Sequence, residues 1–600
     1  MSINTKTTIT IGGRDGSLLP YPFANLEIHQ DLYGHHRFEL EIAAEELVKQ
    51  GSDEFEELTS MVGEMIYIMM EPKKTLSSAD EEFQFKGVIT QVLAGKKEGT
   101  NYSKCIIKGA DPTILMQDAP GVATYKDKSL SHIYKDVLSN YPVNTLKREV
   151  SPQYSKGLAY IVRYRENGHR FLERLSGRYG EWFYYNGEKL YVGQRESADP
   201  ITLTYGVNLD SFHYQMNTYP SDITMVDYDY RNDKPLQEQT TSHDVGGLDR
   251  LTQKLKKKSE SVFPNQSSIK MNQHLGRQPQ SELRHMGGET KKSSLSNLKV
   301  LNGNCSSLDC RVGREVQVKE SVSAKKDHGR YMITSLSHRC TSEGQYENIF
   351  TAVPVSVASP YVNVNDHPVA ETQSAVVIDN NDPDDLGRVQ VQFRWQESGR
   401  TPWLRMVIPG GGKDKGFHMI PEKGEEVMVD FAGGNPERPY VLGATRNGSS
   451  ASGFGTETND IKAIRTRSGH TIELNDKQGG EFITIKDKNG NKINIDTAND
   501  NMTITAQKNM TLNAKNFELN VKEDANLNIG KNTGIQTGEN LDISAKNVTQ
   551  VVQKNIKLEN SGKYTQMSAE AVVQSDGDLK LSGAGLASVK GGSDVKISKG

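Results

Sequence analysis

The stretch Gly416–Gly448, GFHMIPEKGEEVMVDFAGGNPERPYVLGATRNG, decides the fold. Within it, Glu426–Phe431 reads as a short strand-like run. The turn cluster Gly433-Gly434-Asn435-Pro436 follows, and then a second short strand, Tyr440–Gly443. Glycine and asparagine tolerate the left-handed backbone that a tight reversal needs, and proline presets one of its dihedrals. Moving towards the amino terminus, Val389–Trp395 and Trp403–Ile408 read as further strands, with Asp382-Pro383-Asp384 as another turn. Several short strands packed into residues 372–446 predict a small closed barrel of the OB type.

Beyond this segment the composition changes. The last proline is Pro439, the last histidine His470, the last cysteine Cys340 and the last tryptophan Trp403. From residue 465 onward the only aromatics are Phe482, Phe517 and Tyr564. What recurs instead is a pair of apolar residues flanking one polar residue. It stands at 483/485, 493/495, 502/504, 510/512, 519/521 and 527/529, and again at 541/543, 556/558, 579/581 and 595/597. The early steps are eight to ten residues and the later ones lie near multiples of that step. A short repeat with one inward face reads as a β-helix. The apolar stripe is too thin to offset the chain entropy of so many residues in a single copy, and its strand edges are open. Winding identical chains together closes those edges. A threefold prism suits strands this short with bends between them.

The string GRVQVQFRW (Gly387–Trp395), then Trp403-Leu404-Arg405, then Gly416–Gly448 closely resembles the signature of VgrG proteins, the spikes of type VI secretion systems related to contractile phage tail hubs. Phe417, Ile420, Pro421, Gly424, Glu426, Val427, Val429, Phe431, Gly434, Pro436, Arg438, Pro439, Val441 and Gly443 stand at that family's motif positions. Ile464–His470 with Ile472-Glu473-Leu474 is similar to the start of its β-helix. Tyr164-Arg165-Glu166, Phe171–Leu175 and Tyr179–Tyr185 resemble its hub segment, as do Gly329–His338 and Tyr346–Pro354.

The resemblance implies a mainly β chain with four parts. These are a β-rich, barrel-like hub with some helices over 1–365, an OB-fold barrel over 372–446, a linker over 447–464 and a trimeric β-helix needle over 465–600. One segment has no clear match. Residues 249–292 are rich in Lys and Arg (LTQKLKKKSES among them) and read as a solvated surface excursion.

Composition narrows the function classes. Lys+Arg 72 against Asp+Glu 76 leaves a net charge of −4, so no global field draws the chain to nucleic acid or an anionic membrane. The first residues, MSINTKTTITIGG, lack the apolar run of a signal peptide, and no stretch is long and apolar enough for a membrane span. Cys105, Cys305, Cys310 and Cys340 are too scattered for a disulfide framework, and Cys305 and Cys310 lack the second pair of a zinc site. Of the chemical motifs, H-E-x-x-H, G-x-x-x-x-G-K-S/T and G-x-S-x-G are all missing. Gly410–Lys413 has no Ser/Thr after its lysine. Asp379–Asp385 could suggest a calcium loop, yet it lacks the closing Glu at the twelfth position and reads as a turn around Pro383. His35-His36 reads as surface or barrel packing.

The expectation is therefore a non-enzymatic spike with no catalytic, metal or cofactor residues. As the resemblance implies, it is a homotrimer assembled in the cytoplasm and injected on sheath contraction. Its partners would be an Hcp-like tube protein, baseplate components, possible effector cargo and a PAAR-type cap, with the target membrane pierced mechanically. Val595, Lys596 and Ile597, the last strand pair, form the candidate cap seat. The rival readings are a phage tail or extracellular contractile particle, and a spike carrying a hidden enzymatic activity.

Overall fold

A computed structural model describes residues 3–12, 19–20, 22–43, 46, 54–73, 82–96, 103–272, 278–320 and 326–598. Residues 1–464 and 473–481 form one compact unit; residues 465–472 and 482–600 form the other.

The first unit is built on two β rings that share one long hairpin. In the first ring, Asp327–Thr341 pairs with Asn25–Asp31, which pairs with Arg37–Ala43, then Ser103–Ala110, Phe83–Lys96, Met65–Pro72 and Ile3–Ile11. Ile3–Ile11 meets Gln345–Pro354, which pairs back onto Asp327–Thr341. These strands alternate buried and exposed residues, as in Arg37–Ala43. Their inward side chains, among them Ile28, Phe38, Ile68 and Phe85, make one core.

The second ring uses the outer part of the same hairpin. Ile201–Thr204 pairs with Glu315–Lys319, which joins Asp327–Thr341; on the far side Gln345–Pro354 joins Lys299–Cys305 and then Leu209–Met216. Its two end strands, Ile201–Thr204 and Leu209–Met216, approach each other through a single bridge between Tyr205 and Leu209. Closing a sheet on itself removes the unpaired edges that otherwise invite association.

A third core gathers three of the helices, α2 (Leu130–Ser139), α3 (Gly168–Tyr179) and α5 (Pro279–Ser296), while α1 (Glu54–Ser60) and α4 (Arg250–Val262) pack elsewhere. Helix α3 begins where Asn167 accepts a hydrogen bond from the Arg170 N–H, and it ends at Gly180, whose φ of 68° is open to glycine at little cost.

The 249–292 segment corrects the sequence reading in part. Helix α4 is largely solvated, but α5 buries Leu283, Met286 and Leu295. Its Lys291 is buried because the ammonium donates to Asp222 Oδ1 at 2.5 Å and to Ser221 Oγ at 2.9 Å. A paired lysine can enter a core that a lone one cannot.

The OB segment has the strand order Gln390–Phe393, Gln373–Asp379, Glu426–Phe431, Pro439–Ala444. The Glu426–Phe431 strand matches its expected bounds. Trp403–Ile408 departs from expectation: it forms no regular strand and closes the barrel through single bridges, Val389 with Leu404 and Met406 with Val441. Gln373–Asp379, unassigned from sequence, is one of the two interior strands. Hub residues Tyr160, Val162 and Tyr164 share this barrel's core.

In the second unit, Phe482–Lys486, Lys492–Asp496 and Asn501–Thr505 form an antiparallel meander. Its register sets Ile483 opposite Ile495, Ile485 opposite Ile493, and Ile493 and Ile495 opposite Ile504 and Met502. From 506 to 598 the chain forms no strand, contrary to the expectation of strand pairs continuing to 595/597. Runs separated by bends leave each stretch without a backbone partner in its own chain.

Candidate functional site

Two features of the described residues stand out, one in each unit. In the first, Arg174 and Arg178 lie one helical turn apart on α3 and project from the same face. The Arg174 guanidinium donates twice to Glu166, at 2.7 and 2.8 Å, and once to Glu437 Oε1 at 3.1 Å. Arg178 donates to the other Glu437 oxygen at 2.6 Å. Arg174, Arg178 and Glu437 are essentially inaccessible to water. Burial alone would raise the Glu437 carboxyl, but the two guanidinium groups outweigh it and hold the pKa below the usual carboxylate range.

Glu437 sits in the barrel turn Asn435–Arg438, so this ion group ties the OB barrel to the hub helix. The same turn makes further hub contacts. Asn435 donates to the Asn272 carbonyl, and Arg438 donates to the Met271 carbonyl at 3.0 Å with Asp227 3.7 Å away. The glycines of the motif permit the turn: Gly433 and Gly434 have φ of 64° and 72°. The G-x-P-x-R-P pattern is thus a docking turn. Sequence reasoning singled out Glu166, Arg174 and Arg438 inside motifs but missed Glu437 and Arg178, whose roles depend on contacts about 260 residues apart.

In the second unit, every residue from 506 to 598 is exposed in the single chain. Bends recur at 507–508, 515–516, 522–523, 530–531, 538–539, 546, 553–554, 561–562, 569, 576–577, 584–585 and 592–593. The steps are seven or eight residues throughout, so the irregular spacing of the later apolar pairs reflects rungs with a weaker apolar signal. Large apolar side chains stand open along this stretch, including Leu586 at 91 % and Ile597 at 94 % exposure. Val595, Lys596 and Ile597 follow the last bend and lie in no strand; Val595 is half exposed and Ile597 almost wholly so.

The remaining candidates resolve as packing. His36 is buried in the first ring with its Nε2 3.2 Å from the Asp31 carbonyl; His35 Nδ1 lies 2.6 Å from Thr113 Oγ1. In the Asp379–Asp385 loop, Asp382 accepts backbone N–H bonds from Asp384, Leu386 and Arg388 and is bridged by the Arg388 side chain. Burial raises the Asp382 carboxyl, but these donors outweigh it and bring the pKa to about 2. The loop is a turn built on an arginine. Gly410–Lys413 opens no helix. The Cys305 and Cys310 sulfurs lie 3.5 Å apart, and Cys305 donates to Asn348 Oδ1 at 2.9 Å.

Comparison with known proteins places this architecture. The model of the phage tail baseplate hub (GPD) matches residues 32–344, just over half the chain. This chain belongs to the phage tail baseplate hub family. The model of the type VI secretion system and phage-baseplate injector OB domain matches residues 373–445. Among curated relatives of the hub chain, the type VI secretion system spike protein VgrG1a of Pseudomonas aeruginosa is 21 % identical over 60 % of this chain and 61 % of its own length. VgrG1b of the same organism is 21 % identical over 62 % of this chain and 54 % of its own. The matched stretch therefore spans a little over half of those relatives, and the resemblance to VgrG read from the motifs is shown. A chain of the Francisella PdpA-VgrG complex in its lidded form has the same fold at a TM-score of 0.57, with 9 % identity over 84 % of this chain and 80 % of that one. The lidless form gives 0.54, covering 84 % of this hub chain and 98 % of that one.

Proposed function

We propose that this chain is the puncturing spike of a type VI secretion apparatus, assembled as three copies of itself. The observation that carries the reading is the exposed stretch 506–598, bent at every seventh or eighth residue and lined by open apolar pairs. A single copy leaves that stripe in water and its backbone groups without ladder partners, both of which oppose order. Three copies wound together supply a dry interior and a partner for each run. The resulting shaft is stiff because no strand edge remains along it.

The hub meets the tube protein below and the OB barrel above, and the buried Arg174–Glu437–Arg178 group keeps that junction from yielding under thrust. Val595–Ile597 seats a cap of the PAAR type, recognised by strand edges and apolar ends. The protein acts by transmitting force and delivering cargo. It does so without turnover of a substrate.

Light scattering on the full-length protein tests the reading. The expected mass is three times that of one chain, and truncation after Gly448 weakens the assembly. A single-chain mass for the full-length protein overturns the proposal.

A further inference from the structure

We infer that Gln550 and the Tyr564–Gln566 pair form polar layers in the shared interior of the three-copy shaft, and that these layers fix the register of the copies against one another. The inference rests on the three-copy reading above.

It comes from the positions of the bends. Leu541 and Ile543 stand second and fourth after the bend at 538–539, and Leu579 and Leu581 hold the same places after 576–577. After 515–516 the two places are held by Glu518 and Asn520, but from the bend at 522–523 onward the fourth place is apolar at every rung except those of Gln550 and Gln566, and there these places define the stripe. After the single bend at 546 they are held by Val548 and Gln550; after 561–562 they are held by Tyr564 and Gln566. Side chains two apart on an extended run point to the same side. A direct contact bears this out for the second pair, because Tyr564 Oη donates to Gln566 Oε1 at 3.3 Å. Both glutamines therefore occupy the fourth place, where the neighbouring rungs carry Ile543 and Leu558.

Inside a dry shaft a carboxamide needs partners for two N–H donors and a carbonyl. In register, three copies bring like amides to one level, where they satisfy one another around the axis. A slip of one rung sets Gln550 beside Ile543 or Leu558 of a neighbour and strands its polar atoms, which is costly away from water. A slip of two rungs sets Gln550 level with Gln566, sixteen residues on, but then puts the Tyr564 ring against Val548. The apolar rungs cannot make this distinction, because Leu, Ile and Val pairs substitute for one another with little penalty. A polar residue at a single core place is a known means of selecting one alignment at some loss of stability.

The test uses the full-length protein with a spin label at Ser593→Cys, in the last bend, since all four native cysteines are buried. With both glutamines present, three-copy mass and one narrow label–label distance are expected. In the Gln550→Leu/Gln566→Leu variant the three-copy mass persists, the melting temperature rises and further distance populations appear. A variant that keeps the single narrow distance overturns the inference while leaving the three-copy reading intact. A single-chain mass for the parent protein overturns both. Should the double leucine variant fail to assemble, Gln550→Asn/Gln566→Asn decides: retention of the narrow distance supports the inference, and loss of it overturns it.

Discussion

Replacing Glu437 by Gln removes one negative charge from a group of two arginines and two glutamates with almost no change in shape. Arg174 keeps its two bonds to Glu166. Arg178 loses the carboxylate 2.6 Å from its Nη1, and its other side-chain contact is the Asp366 carbonyl at 3.4 Å. A buried guanidinium left without its counter-ion costs about 3–5 kcal/mol. Since each 1.4 kcal/mol is about a tenfold change in an equilibrium, local opening of the hub–barrel junction should rise by roughly two to three and a half orders of magnitude. Hydrogen exchange reads this directly, with no need for the whole chain to unfold in one step. The informative amides are those of α3 and of Val162, whose N–H points at Glu437 Oε1 at 3.4 Å. Removing the stranded charge as well, in Glu437→Gln/Arg178→Met, should recover most of the lost protection. If Glu437→Gln speeds exchange by less than about fivefold, equivalent to about 1 kcal/mol, the ion group does not hold the junction and the reasoning fails.

Three further outcomes follow from the first unit. His36, His169 and His338 are buried and held neutral, each with its pKa pushed down to about 3 by burial. Their folded values lie below the unfolded 6.5, so stability is full above that pH and declines as pH falls toward the folded values. At pH 5 each contributes a loss of roughly 2 kcal/mol. Buried Asp111, raised to about 6 by the same burial, acts in the opposite sense and returns part of that loss as pH drops below 6. Thermal melts at pH 7.5 and pH 5 should show a clear net decrease, and equal melting temperatures would refute neutral burial. Gly180→Ala should destabilise the end of α3 by about 1 kcal/mol or more, since the backbone there is left-handed and the new Cβ would lie 2.4 Å from Glu289 Cγ; a urea midpoint unchanged from the parent would count against it. Asp382→Asn should loosen the barrel loop and remove its acid sensitivity, because a carboxyl depressed from 3.8 to about 2 contributes stability that is full above the unfolded value and lost as pH falls through the folded one. Proteolysis between Asp379 and Arg388 at neutral pH reads this, and an unchanged cleavage rate would argue against the arginine-built turn.

Local alternation carried most of the architecture. Glu426–Phe431 could be placed to the residue because its apolar positions repeat at period two beside a glycine turn. Trp403–Ile408 also reads as a strand-like run but closes its barrel through single bridges, a distinction set by tertiary geometry. Helix α5 was hidden by charge: Lys291 reads as solvated until Asp222, 69 residues away, supplies its partner. The Glu437 contacts were invisible for the same reason, since a variable motif position gives no sign of the two arginines it meets. In the tail, periodicity was legible where two large apolar residues stand two apart and lost where Thr533, Gln550, Tyr564 with Gln566, Ala571 or Ala587 takes a stripe place, so the regular bends recovered rungs that hydropathy alone could not.

The hairpin Asp327–Thr341/Gln345–Pro354 is common property of both rings of the hub. The circuit of each ring runs through this one ribbon, which joins chain segments more than 300 residues apart. Any twist imposed on one ring must also be felt by the other through the same pair of strands. Among the described residues, the two rings of the hub are therefore coupled through one pair of strands.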